Sequence, residues 1–127
     1  MKITLAQLNP IVGDVSGNLK KVVNTLEQYA PETDLIIFSE LFLVGYPPRD
    51  LLEQPALIER TLAAVQELLA VSRSFSQTGV LLGAPMPTGL DTGKGLNNCA
   101  LLIQGGEILF RQNKSLLPTY DVFDETR

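Results

Sequence analysis

The chain carries a single cysteine, Cys99, and no histidine. Ser-His-Asp and Cys-His catalysis therefore cannot be completed within it, and the commonest metal ligand is missing as well. Chemistry has to run on carboxylates, lysines, phenols and hydroxyls, or on residues supplied from elsewhere. Glu40 is the acidic candidate. It follows the apolar run LIIF (35–38) almost directly, and the crevice outside the carboxyl ends of strands is where open α/β sheets bind ligands. A carboxylate desolvated there would be a better proton acceptor near neutral pH; the plainer role is to cap a helix or pin a loop. Lys114 lies just before Leu116, Leu117 and Pro118 and could support a developing oxyanion, or simply be a solvated charge at a strand end. Tyr46 in GYPP and Tyr120 in LPTY each combine an apolar wall with a hydroxyl, suited to a small-molecule pocket or to anchoring a loop. Cys99 sits inside NCALLI, where a thiol is expected to be inert core packing. The segment TGLDTGKG (88–95) fails as a phosphate loop, because Thr88 replaces the first glycine and Gly95 stands where a Ser or Thr must hold magnesium.

The elements that would position these residues follow from periodicity. KITLAQL (2–8) alternates, with Ile3 and Leu5 expected to point inward, and Asn9-Pro10 stops the run. From Gly17 the apolar positions Leu19, Val22, Val23, Leu26, Tyr29 and Ala30 trace one helical face, with Ser16 or Asn18 as N-cap and Pro31 beyond the end. LIIF reads as a strand covered on both faces. SELFLVGYPPRD (39–50) contains Gly45, Pro47 and Pro48 and so forms a shaped loop. A second helix is expected from Pro55 to about Gln77, a third strand over GVLLGA (79–84), and a hairpin of NCALLIQ and EILFRQNK around Gly105-Gly106. Strand, helix, strand, helix, strand, hairpin is an α/β order with a parallel sheet.

With 127 residues, the chain offers one domain or part of one. Apolar residues make up 45% and charged residues 19%, a mix for a packed core rather than disorder. The net charge of -4, with scattered basic residues, argues against nucleic-acid binding. No apolar stretch is long enough to span a bilayer or to serve as a signal peptide, so a cytoplasmic, non-membrane protein is expected. Leu116, Leu117, Val122 and Phe123 near Arg127 need cover that the tail does not supply, and the chain is expected to stop within a domain.

Taken together, SELFLVGYPPRD and NKSLLPTYDVFDETR resemble two signature blocks of the nitrilase superfamily, the carbon-nitrogen hydrolases. The start KITLAQLNPIVGDVSGN is similar to that family's usual opening. The LP-Y-VFDE-R pattern with GYPPRDLL resembles the N-terminal glutaminase domain of glutamine-dependent NAD synthetases. The resemblance implies a nitrilase-like αββα sandwich, of which residues 1–127 would be the N-terminal part. It implies Glu40 as general base, Lys114 as support for the tetrahedral intermediate, and Tyr46 and Tyr120 in the glutamine pocket. The nucleophilic cysteine would lie in a third block that this chain does not contain, so the chain alone would be inactive. No metal or cofactor would be held here; ATP and magnesium would belong to a C-terminal synthetase domain. Glutamine, that synthetase domain and further copies of the chain are the expected partners, the copies covering exposed sheet edges and apolar helix faces. An amidase of other specificity and a non-catalytic α/β module binding a small molecule or a partner are the alternatives.

Overall fold

The computed structural model describes residues 1–45, 55–87 and 96–114. Strand β1 (Ile3–Ala6) leads through helix α1 (Val15–Tyr29) to β2 (Leu35–Phe38), and helix α2 (Pro55–Ser72) precedes β3 (Gly79–Pro87). Strands β4 (Leu96–Gln104) and β5 (Glu107–Lys114) then form a hairpin. The strands lie side by side in chain order as one five-stranded sheet, β1-β2-β3 parallel and β3-β4-β5 antiparallel. A parallel run in which each strand adds to the same edge places its right-handed crossovers on one face. Both helices accordingly pack on the same side.

Register divides the sheet into two unlike faces. Toward the helices stand Ile36, Phe38, Val80, Leu82, Ala84, Cys99, Leu101 and Ile103, all buried in one cluster with Leu19, Val22 and Leu26 of α1 and Leu57, Val65 and Leu68 of α2. On the other face Leu5, Ile37, Leu81, Leu102 and Phe110 are aligned across all five strands, and there Leu5 is 64% and Phe110 53% exposed. Ile3 and Leu5 thus do not point into a core as their alternation suggested. Alternation shows that the two sides of a strand differ, and here the apolar side belongs to the face that no helix covers. For the same reason the exposed apolar surface is a sheet face, whereas the helix faces expected to be bare are buried.

The start of α1 also differs from expectation. The helix begins at Val15, capped by Asp14, whose carboxylate accepts the Gly17 N–H at 3.1 Å. Asp14 can reach back in this way because Gly17 has no side chain: a Cβ there would lie 2.2 Å from the Asp14 carboxylate. Ser16 and Asn18 fall inside the helix, and Asn18 is fully buried. The hairpin turn is as expected, with Gly105 and Gly106 both at positive φ (62° and 87°), the conformation that matches the twist of the flanking strands.

Candidate functional site

At the carboxyl end of β2 the chain leaves the sheet and Glu40 stands exposed. It borders a depression of about 320 Å³ whose walls include Phe38, Leu81, Gly83, Ala100 and Gln112. The strand-end position foreseen for Glu40 is therefore a concave one. The desolvation foreseen with it is not provided by the described residues, because Glu40 lies on the open side of the sheet.

Two features of the backbone place Glu40 there. Gly83, in the middle of β3, lets the segment that follows β2 pass unusually close: a Cβ at this position would be 2.6 Å from the Leu41 nitrogen and 3.3 Å from the Glu40 Cα. Leu41 itself has φ 55°, a left-handed conformation that costs a residue with a Cβ roughly 1–2 kcal/mol. It is held by burial of Leu41, Phe42, Leu43 and Val44, by the tilted Phe38–Phe42 ring pair at 5.2 Å, and by the Val44 and Gly45 N–H groups donating to the Leu41 carbonyl.

Lys114 closes β5, as expected, in register with Asn98. Its alternation is set by an irregularity upstream. Leu102 pairs with Phe110 and Ile103 with Ile108, leaving Leu109 as an extra residue. A bulge of this kind shifts every later residue of the strand by one position. With it, Gln112 pairs with Ala100 and Lys114 with Asn98, so Lys114 falls on the alternation of the two residues that line the depression; without it, Asn113 would. Register thus places Lys114 in the row of Ala100 and Gln112, which border the depression together with Glu40.

Tyr46 and Tyr120 lie outside the described residues. Cys99 also borders the depression, but its side chain is fully buried, in register with Ala84 and Asn113, as its apolar surroundings suggested. Among the described residues no group of three or more His, Cys, Asp or Glu could hold a metal ion, and no helix is long and apolar enough to cross a membrane. Gly83 and Gln112 were not singled out from the sequence. Gly83 did carry a signal, since an isolated glycine inside a strand pattern marks a bulge or a close backbone approach. Gln112 carried none, because its place depends on the bulge.

Comparison with known proteins extends these observations over the whole chain. The carbon-nitrogen hydrolase family pattern matches residues 2–126. Over 128 residues the chain is 39% identical to the glutamine-dependent NAD(+) synthetase of Thermotoga maritima, covering 100% of this chain and 21% of that protein. The fold is similar to that of glutamine-dependent NAD+ synthetase from Acinetobacter baumannii, solved with adenosine diphosphate, with a TM-score of 0.78, 34% identity, and coverage of 98% of this chain and 23% of that one. An amidase from Nesterenkonia sp. shares the fold at a TM-score of 0.77 and 23% identity, over 96% of this chain and 46% of the amidase. The chain thus spans about a fifth of the length of the synthetases it matches. A partial nitrilase-like α/β domain with an acidic residue at the carboxyl end of its second strand, matched from residue 2 to residue 126, belongs to the carbon-nitrogen hydrolase family.

Proposed function

We propose that this chain is the N-terminal part of the glutaminase domain of a glutamine-dependent NAD synthetase, and that the intact protein hydrolyses the amide of glutamine to supply ammonia for amidation of nicotinic acid adenine dinucleotide. The observation that carries this reading is the 39% identity to the Thermotoga maritima synthetase across the entire chain. Glu40 at the rim of the depression supports it, since a general base has to stand at a concave surface that a substrate can enter.

In this reading Glu40 takes the proton of a cysteine thiol supplied from outside residues 1–127. The thiolate attacks the amide carbon of glutamine, and the charge that develops on its oxygen is met by Lys114. Collapse expels ammonia, with the proton returned by the Glu40 carboxylic acid, and leaves a thioester. Glu40 then deprotonates a water that attacks the thioester, releasing glutamate and restoring the thiol. Tyr46 and Tyr120 would line the glutamine pocket. Alone the chain would not turn over, because its single thiol, Cys99, is buried in the core. ATP and magnesium would serve the synthetase domain, and no residue of this chain is assigned to them. The setting proposed is cytoplasmic and homo-oligomeric.

The test is Glu40→Gln in the intact protein. Glutamine-driven NAD formation should fall at least about 10²-fold, in line with loss of a positioned general base, while formation driven by added ammonium should stay within twofold. Retention of glutamine-driven synthesis, or faster release of ammonia from simple aliphatic amides than from glutamine, would overturn the assignment.

A further inference from the structure

Asn18 lies in the first turn of α1, fully buried, and its hydrogen bonds are not those of a helix cap. Its Oδ1 accepts the Ile11 N–H at 2.8 Å, and its Nδ2 donates to the Ile11 carbonyl at 2.8 Å and to the Leu43 carbonyl at 3.0 Å. One side chain thus joins the loop after β1 to the turn after β2. A second link runs beside it, the Gly13 N–H donating to the Val44 carbonyl at 2.9 Å. Gly45, at φ 74°, is pressed against the same loop, where a Cβ would lie 2.9 Å from the Ile11 carbonyl carbon.

The turn held in this way contains the left-handed Leu41 and follows Glu40 directly. A backbone strained at one residue persists only while its surroundings over-determine it, and buried polar groups keep their partners because an orphaned one is costly. We infer that Asn18 is a positioning residue for Glu40: by clamping Leu43 to Ile11 it keeps Leu41 left-handed and so aims the Glu40 carboxylate into the depression. This inference rests on the reading of Glu40 as general base. Without the amide the Leu43 carbonyl loses its anchor, Leu41 can relax to negative φ, and the residue before it turns with the peptide.

The decisive comparison is a double-mutant cycle in the intact protein, measuring ammonia release from glutamine for wild type, Asn18→Ala, Glu40→Gln and the double variant, with extended incubations for the slow ones. Asn18→Ala alone should lower kcat about 10- to 100-fold, the scale of a misplaced catalytic group, with KM within about twofold. In the Glu40→Gln background it should cost no more than about twofold, because there is no longer a base to misplace. An equal loss in both backgrounds, or a rise in KM with kcat unchanged, would make Asn18 merely structural and overturn the inference. Should Asn18→Ala not accumulate as folded protein, Asn18→Ser, which keeps a small hydrogen-bonding group at the junction, carries the same comparison. A Glu40→Gln variant that retains nearly full kcat would instead remove the reading of Glu40, and the positioning role with it.

Discussion

Replacing Gly83 by alanine tests how the sheet sets the position of Glu40. The added Cβ would stand 2.6 Å from the Leu41 nitrogen, and ordinary van der Waals contact begins near 3.4 Å, so the atoms must separate by about 0.8 Å. The neighbour is backbone on both sides, not the flexible end of a side chain. β3 is paired with β2 and β4 and cannot retreat, so the segment carrying Glu40 has to. Displacement of a reacting group by about 1 Å costs up to about 10²-fold in rate, and overpacking of this kind costs typically 1–3 kcal/mol of stability. Gly83→Ala in the intact protein should therefore lower kcat for glutamine hydrolysis about 10- to 100-fold, leaving ammonium-driven synthesis within twofold. The ratio of glutamine-driven to ammonium-driven rates, taken on one preparation, separates local displacement from general loss of fold. A ratio equal to wild type would refute the reasoning, since it would mean that the Glu40 segment tolerates a Cβ beneath it or that Glu40 takes no part in the hydrolysis.

The bulge gives a second prediction: deleting Leu109 in the intact protein takes out the extra residue and leaves Lys114 opposite Asn98, so glutamine hydrolysis should stay within about tenfold of wild type, well above Lys114→Ala; a loss as large as that of Lys114→Ala would show that the bend of the bulge, and not register alone, sets the position of Lys114. In the intact protein, Cys99→Ala should still form the thioester with glutamine, detectable by mass spectrometry of the denatured protein, because the reading places the nucleophile outside residues 1–127; loss of the adduct with the fold intact would make Cys99 the nucleophile.

The strands and helices were legible because their signals are local. Leu19, Val22 and Leu26 recur at helical spacing, LIIF and GVLLGA are short apolar runs between breakers, and Gly105-Gly106 can form only a few kinds of turn. What was not legible depends on contacts between distant segments. Asn18 is an adequate N-cap residue by type, but Asp14 takes that position, and the amide is drawn inward by Ile11 and by Leu43, 25 residues away. The left-handed turn at Leu41 has no glycine or asparagine to announce it, since burial of the next three side chains imposes it. The alternation of Lys114 rests on a bulge that no residue type in EILFRQNK marks.

The direction of Ile3 and Leu5 bears on the chemistry as well as on the fold. These residues continue an apolar row through Ile37, Leu81, Leu102 and Phe110, and Leu81 also forms part of the wall of the depression that Glu40 borders. In an αββα sandwich a second sheet packs over such a row, face to face at about 10 Å. A layer seated there would also roof the depression, taking water from Glu40 and strengthening every charge interaction in the site. On this argument the desolvation that a general base needs is not a property of the strand end alone. It arises when the open face is covered and water is kept from the site: in the intact protein a variant that loosens this packing, such as Leu81→Ser, should lower kcat for glutamine hydrolysis about tenfold or more, and a kcat equal to wild type would show that cover over this row does not matter to the reaction.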